Sequence, residues 1–333
     1  MKHPKIAIIG ATGLVGSIMI KVLEERNLTD YEIIVAASER SVGKKLIVAG
    51  KENIVVAVED AIALSPAFAL FSAGSAASLQ YAPQFVKKNT IVIDNSSAWR
   101  SFDEIPLIVP QINGDLIKPK DRIIANPNCS TIQMAMTLAP LHQKYGLKRV
   151  VVSTYQSVTG TGAKALNQLM KERAGEACEK AYPHQIDLNL FPHGGAFEAN
   201  GYTVEEMKLV SETRKILRTP QLQITATVVR VPVFGGHSEA INAEFENDFN
   251  LDEVVCLLKE FNGIKVLDNP MQNEYPMPLT AHEKDEVFVG RIRRDESQPK
   301  TLNFWCVADN LRKGAATNAV EIMERLLRSE VLM

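Results

Sequence analysis

The chain has 333 residues, 46% of them hydrophobic and 23% charged, with a formal net charge of -2. That suffices for two domains with cores of their own, gives no support for nucleic-acid or membrane-surface binding, and includes no apolar run long enough for a signal peptide or a membrane span. The 4 cysteines (Cys129, Cys178, Cys256, Cys306) lie far apart, with no C-x-x-C pair and no clustered histidines, so neither a disulfide framework nor a metal site is expected and the setting expected is cytoplasmic.

Ile6 to Ile9 is a continuous apolar run suited to a buried strand of a parallel sheet. Gly10-Ala-Thr-Gly13-Leu-Val-Gly16 follows at once, and Ser17 to Glu25 has helical spacing. Strand, glycine loop, helix is the setting in which backbone approaches a pyrophosphate and the helix N-terminus receives its charge. The spacing is G-x-x-G-x-x-G rather than G-x-G-x-x-G. A second strand, Glu32 to Ala37, ends in Ser38-Glu39-Arg40-Ser41-Val-Gly-Lys-Lys45. A guanidinium, hydroxyls and lysines there suit a ribose 2′-phosphate, hence NADP, better than a free 2′-hydroxyl. Glu39 opposes that reading, and a solvated turn is the alternative for Arg40 and the lysines.

Further buried strands are expected at Ala67 to Phe71, Thr90 to Asp94, Ile105 to Pro110 and Arg122 to Ala125. Ser72-Ala-Gly74-Ser75 supplies small residues at a strand's carboxyl end, a wall for a cofactor. Arg100 lies on the loop beyond Asp94, as an anion ligand or as a plain surface arginine. Strands alternating with helices imply a doubly wound parallel sheet.

In Asn126-Pro-Asn-Cys129-Ser-Thr-Ile, Pro127 and the asparagines make a turn and Cys129 opens a helix. A thiol there meets unpaired N–H groups and the positive end of the helix dipole, which favours the thiolate; the bland alternative is a small buried hydrophobe. A β-branched strand from Lys148 to Val158 is followed by Thr159-Gly-Thr-Gly162 and a helix from Ala163 to Glu172. Residues 175–202 look like irregular loop. The next helix starts at Thr203, and Glu205 and Lys208 share a face of it, as a site pair or as a surface ion pair. Strands at 223–234, 239–245, 286–294 and 302–308 alternate with period 2, which suggests a mainly antiparallel sheet. His237 follows Gly235-Gly236 on what is expected to be an exposed bend, as a base or ligand rather than a core residue. An apolar-striped C-terminal helix is expected to return to the first domain.

These parts suit an acyl group carried on sulfur and reduced by hydride. Their motifs are Gly10-Ala-Thr-Gly-Leu-Val-Gly16, Asp94-Asn-Ser-Ser-Ala-Trp-Arg100, Asn126-Pro-Asn-Cys-Ser-Thr131, Arg230-Val-Pro-Val-Phe-Gly-Gly-His-Ser-Glu239 and Ala308-Asp-Asn-Leu-Arg-Lys-Gly-Ala-Ala316. Over essentially its whole length the chain resembles the aspartate-β-semialdehyde dehydrogenases, which reduce L-aspartyl-4-phosphate with NADPH to the semialdehyde and phosphate. The resemblance implies an α/β chain: a Rossmann-type NADP-binding domain (1–127 with the C-terminal helix 312–333) and an α+β catalytic and dimerisation domain (128–311). It implies a homodimer or homotetramer, with residues 175–202 near the dimer interface, in the route to diaminopimelate, lysine, threonine and methionine. Cys129 becomes the acyl-thioester nucleophile, His237 the acid/base and Gln156 an orienting residue. Arg230 takes the substrate α-carboxylate and Glu205 its amino group, with Glu206 one residue away as the alternative. Arg100 and Lys208 form the phosphate site. Gly10, Thr12, Gly13, Leu14, Val15, Ser38, Arg40, Ser41, Ser72, Gly74, Thr159, Gly160 and Asn310 fall at cofactor positions.

Three rivals share parts of this pattern. N-acetyl-γ-glutamyl-phosphate reductase has the same fold and thioester logic, but the residues around Cys129 favour the aspartate enzyme. A glyceraldehyde-3-phosphate-type dehydrogenase would want an acidic residue at the end of the second strand. A non-catalytic nucleotide-binding relative is opposed by the joint presence of Cys129, Gln156, Arg230 and His237.

Overall fold

The computed structural model describes residues 4–28 and 30–328. They divide into two compact units, one of the described residues up to 127 with those from 315 on, the other of residues 128–314.

In the first unit β1 (Lys5–Ile9) leads through the glycine loop to α1 (Leu14–Glu25) and β2 (Glu32–Ala36). An antiparallel ribbon, β3 (Lys45–Val48) with β4 (Lys51–Ile54), was not evident in the sequence. Then come α2 (Val58–Ala63), β5 (Phe68–Phe71), α3 (Ser75–Lys87), β6 (Ile91–Asp94), α4 (Pro110–Asn113) and β7 (Ile123–Ala125). The sheet order is β2-β1-β5-β6-β7, every pairing parallel. The strands are apolar throughout because both faces are covered. Ile6, Ile8, Leu70 and Ile93 belong to one core, with Met19 and Leu23 of α1; Ala7, Ile9, Phe71 and Val92 belong to the other, with Ile62 and Phe85.

The strand expected at Ile105 to Pro110 is reduced to one parallel bridge, Leu107 with Ala125. Pro106 and Pro110 have no N–H for a ladder, and Pro110 instead opens α4.

The second unit begins with α5 (Cys129–Tyr145) and β8 (Leu147–Gln156), followed by α6 (Ala163–Arg173), α7 (Val204–Leu217), β9 (Gln223–Arg230) and β10 (His237–Phe245). It continues with α8 (Leu251–Glu260), β11 (Ile264–Val266), α9 (Pro278–Ala281), β12 (Val287–Arg294) and β13 (Thr301–Ala308). The sheet order is β11-β12-β13-β10-β8-β9. Its three inner pairings are antiparallel and the two outer ones, β11 with β12 and β8 with β9, are parallel. α5 packs on β8, β10, β12 and β13, with α7 and α8, which also contact the sheet, against it as well. That position explains a helix buried nearly all round rather than on one stripe.

Residues 175–202 contain no helix or strand, yet they are anchored. Gln168 accepts from the Ala181 and Tyr182 N–H groups, and Glu172 from those of Ile186 and Asp187. Tyr182, Ile186 and Phe191 pack with Val158 and Leu169. α10 (Thr317–Arg328) closes the described chain and belongs to the first unit. The remainder of the expected C-terminal helix, residues 329–333, lies outside the described residues.

Candidate active site

Strand register builds the site. Gln156 pairs with Arg230 across β8 and β9, and Ser238 pairs with Tyr155 across β10 and β8, so His237 comes next beside Gln156. His237 in turn pairs with Ala308. Arg230, Gln156 and His237 therefore form one cross-strand row at the end of the sheet, on one face. Arg230 is the last residue of β9 because Pro232 cannot continue the ladder. All three are buried, and each keeps a buried polar atom without a hydrogen-bond partner: Arg230 Nη1, Gln156 Oε1 and His237 Nε2.

Cys129 is the first residue of α5, half-buried. Asn128 is the N-cap, its Oδ1 accepting from the Ser130 and Thr131 N–H groups at 3.0 and 3.3 Å. Ser130 Oγ accepts from Gln156 Nε2 at 2.8 Å, which ties the helix start to the row. Close packing adds Gly314, where a Cβ would stand 2.8 Å from that of Cys129. α7 holds the turn from another side. Asn128 Nδ2 donates to Glu205 Oε1 at 3.0 Å, and the Asn128 N–H donates to Glu212 Oε2 at 2.7 Å. Lys208 Nζ lies 3.5 Å from Glu205 Oε2. The neighbouring Glu206 is committed elsewhere: it forms a capping box with Thr203 and accepts from the Val228 N–H. Geometry thus sets the two glutamates apart: Glu205, the one favoured by its three-residue spacing to Lys208, reaches the turn before Cys129, and Glu206 does not.

His237 is not on an exposed bend. It is the first residue of β10 and fully buried. Burial, with the Arg230 guanidinium nearby, pushes its pKa well below the usual histidine value. Nδ1 accepts the Ser157 N–H at 3.1 Å, so the neutral ring carries its proton on Nε2. Gly160 borders that atom: a Cβ on it would stand 2.9 Å from His237 Nε2 and 3.0 Å from Arg230 Nη1. Asn310 joins Thr159 and Ser157 in a buried hydrogen-bonded cluster behind the ring.

The first unit carries a separate cleft of about 350 Å³ at the carboxyl ends of β1 and β2, lined by residues that include Gly10, Ser38, Glu39, Arg40, Ala73 and Tyr81. Gly10 has φ +88°, and a Cβ there would stand 2.4 Å from the Ser72 carbonyl oxygen. A Cβ on Gly16 would meet the Gly10 carbonyl oxygen at 2.2 Å. The loop is therefore as tight as the sequence pattern required, and Gly13 leaves the first N–H groups of α1, which begins with Leu14 and Val15, without a side-chain cap. Those features fit a dinucleotide pyrophosphate. Ser41 Oγ lies between Thr12 Oγ1 and Lys44 Nζ, at 3.3 and 3.4 Å. Gly74, with φ +85°, precedes α3. Arg100 donates from Nη2 to the Asn95 carbonyl at 2.7 Å, within the loop that follows buried Asp94. Among the described residues no cluster of His, Cys, Asp or Glu could hold a metal, and no helix is long and apolar enough to cross a membrane.

Sequence reasoning gave no site role to Asn128, Ser130, Glu212 or Gly314. Asn128 and Ser130 had a local signal, as turn and helix-start residues beside Cys129. The others are assigned by partners remote in the chain.

Comparison with known proteins agrees with this architecture. The family model for the semialdehyde dehydrogenase NAD binding domain matches residues 5–119, and that for the semialdehyde dehydrogenase dimerisation domain matches residues 138–313. Aspartate-semialdehyde dehydrogenase of Aquifex aeolicus is 50% identical over 337 residues, covering 98% of this chain and 99% of the relative. That of Legionella pneumophila is 45% identical over 339 residues, covering 99% and 98%. The crystal structure of aspartate semialdehyde dehydrogenase II from Vibrio cholerae, complexed with ASA, has a TM-score of 0.94 at 42% identity and covers 99% of this chain and 100% of its own. The chain belongs to the aspartate-semialdehyde dehydrogenase family, oxidoreductases with a nicotinamide-binding domain and a dimerisation domain.

Proposed function

We propose that this enzyme reduces L-aspartyl-4-phosphate to L-aspartate-4-semialdehyde and phosphate with NADPH, through a thioester on Cys129. The observation that carries the reading is the row of Arg230, Gln156 and His237, each with a buried unpartnered polar atom, beneath the helix that Cys129 opens. A buried polar atom without a partner is costly, and a polar substrate offsets that cost.

Cys129 attacks the acyl carbon. Its sulfur–carbon bond forms as the carbon–oxygen bond to phosphate breaks, and the thiol proton leaves with the phosphate. Arg230 takes the α-carboxylate as a planar fork, and Glu205 takes the amino group. Arg100 and Lys208 hold the phosphate, and Gln156 orients the acyl group. His237, neutral with its proton on Nε2, donates a hydrogen bond to the acyl oxygen where negative charge develops. A reduced nicotinamide, when bound, supplies the hydride to the thioester carbon. Collapse of the resulting alkoxide breaks the carbon–sulfur bond, releases the aldehyde and restores Cys129. The sequence resemblance assigns Thr159, Gly160 and Asn310 to the cofactor, together with the glycine loop. Arg40 and Ser38 line the first unit's cleft and support a 2′-phosphate reading, hence NADP. The second unit exposes Leu188, Leu190 and Phe197, apolar surface that a second copy would cover in a homodimer or dimer of dimers.

The test is phosphate-dependent reduction of NADP by the purified protein. L-aspartate-β-semialdehyde and N-acetylglutamate-γ-semialdehyde are supplied in parallel, with Cys129→Ser as control. Turnover of the aspartate compound alone, lost in the variant, is expected. Turnover of only the acetylated compound would move the substrate to the arginine route, although an acetylated nitrogen gives Glu205 no positive charge to hold. No turnover of either would sink the proposal.

A further inference from the structure

Directly beneath the row of Arg230, Gln156 and His237 lies a second row. Thr154 pairs with Val228 on β9 and with Glu239 on β10, and Glu239 pairs with Cys306 on β13. All four are fully buried. Glu239 is two residues after His237 on the same strand, so both side chains leave the same face of the sheet. Gln133 is four residues after Cys129 on α5, so those two share a face of the helix. The helix and the sheet therefore face each other through two stacked contacts. The upper one brings the start of α5 to the row of Arg230, Gln156 and His237. In the lower one Cys306 Sγ donates to Glu239 Oε2 at 3.3 Å, while Gln133 turns its amide toward the same carboxyl.

That lower contact is unusual chemistry for a core. Burial pushes the Glu239 carboxyl up to about 8, and the Cys306 thiol beside it is raised well above its ordinary value. The groups facing Glu239 are Cys306 from β13, uncharged Gln133 from α5 and uncharged Thr154 from β8. The His237 imidazole lies one row away on β10. At neutral pH the carboxyl is an acid that needs an acceptor for its proton. Glu239 Oε1 and Gln133 Nε2 are both without partners, and rotation of the Gln133 amide places its oxygen to accept that proton.

We propose that the bridge from Gln133 on α5 through Glu239 on β10 to Cys306 on β13 is a positioning device that fixes Cys129 against His237. Glu239 touches no substrate. It sets the spacing of two elements whose first residues do the chemistry, and it does so only while its carboxyl is uncharged. Ionisation would bury a charge that no cation faces among the described residues, and would remove the proton that the Gln133 oxygen accepts, so the bridge from α5 to the sheet would have to be remade. This inference rests on the roles proposed for Cys129 and His237.

The test compares wild type with Glu239→Gln, Glu239→Ala and Gln133→Leu. The readouts are kcat, KM, thermal midpoint and the pH dependence of Cys129 alkylation by iodoacetamide, followed by peptide mass. Glutamine keeps the shape and the hydrogen bonds and cannot ionise. Glu239→Gln is expected to retain wild-type kcat at neutral pH and to hold its activity above a pH near 8, where the wild-type enzyme is expected to decline. Glu239→Ala and Gln133→Leu should lower kcat roughly tenfold to 100-fold with KM little changed, as a small misplacement of a catalytic group does. If Glu239→Ala fails to fold, the Glu239→Gln pH profile still decides. The idea is overturned if Glu239→Gln is as inactive as Glu239→Ala or if it keeps the wild-type alkaline decline. It is equally overturned if the alanine variant lowers only the thermal midpoint. Alkylation needs no turnover, so a shifted alkylation profile in an enzyme inactive on both semialdehydes would uphold the bridge while the reaction assignment failed.

Discussion

The absent side chain of Gly160 gives the His237 imidazole its place. A Cβ on Gly160 would lie 2.9 Å from His237 Nε2 and 3.0 Å from Arg230 Nη1, tighter than side chains normally pack. The backbone at Gly160 is not among the positive-φ positions, so alanine adds no backbone strain there and only the overpacking of the buried row, on the order of 1 kcal/mol, lowers stability. Gly160→Ala is expected to lower the thermal midpoint only modestly and kcat/KM by roughly 100-fold, because the ring and the guanidinium must both retreat. Steady-state kinetics beside a melting curve separates the two effects. Normal kinetics in a folded variant would show that Gly160 does not constrain the ring.

Asn128 serves two functions with the two atoms of one amide. Oδ1 caps α5 and Nδ2 holds Glu205. Asn128→Ala should cost about 1 kcal/mol in urea unfolding, the usual value of a lost N-cap. Asn128→Asp keeps the cap acceptor but sets a carboxylate against Glu205 and near Glu212. Its stability deficit at neutral pH should therefore shrink as the pH falls through the carboxylate range. A deficit independent of pH would mean that the two side chains do not face each other in solution.

The parts that local chemistry dictates were legible in the sequence. The glycine loop, the apolar strands of the first sheet and the Asn-Pro-Asn-Cys turn each depend on residues adjacent in the chain. Two expectations failed for one reason, namely that proline edits ladders: Pro106 and Pro110 reduced a strand to a bridge, and Pro232 ended β9 at Arg230. The placement of His237 failed because diglycine looks like an exposed bend, whereas here it delivers the chain into a central strand. What was not legible is register. Arg230, Gln156 and His237 become neighbours only when three strands pair. Glu239 meets Cys306 across a sequence separation of 67, which no local pattern encodes.

Glu239 and His237, in adjacent buried rows, set a pH dependence of stability whose sign can be worked out. Glu239 titrates near 8 when folded, against 4.5 in an open chain. Between those values the folded state keeps a proton that the unfolded state has released, so stability falls as pH rises through the window. His237 is lowered when folded, against 6.5 in an open chain. Below 6.5 the unfolded state takes a proton that the folded state refuses, so stability falls as pH drops. Above pH 6.5 only the Glu239 slope of the two remains. Glu239→Gln should therefore gain on wild type in urea midpoint between pH 6.5 and about 8. Parallel curves for the two proteins would show that Glu239 ionises normally in the fold.

The proposed preference for NADP rests on Arg40. It lines the same cleft as Gly10 and Ser38, at the end of β2, where the ribose of a bound dinucleotide falls. Glu39 lines that cleft too, so the cleft sets one cation beside one anion. A 2′-phosphate gains from the guanidinium and is opposed by the carboxylate; a 2′-hydroxyl gains from the carboxylate alone. Arg40→Ala should weaken NADPH by about 1.4 kcal/mol, roughly tenfold in Kd, while NADH changes far less. Glu39→Ala should act in the opposite sense, tightening NADPH and weakening NADH. Fluorescence titration of both variants with both dinucleotides reads all four effects. Equal losses for NADPH and NADH in Arg40→Ala would place recognition of the 2′-phosphate on other residues, with Ser41 and Lys44 next in reach.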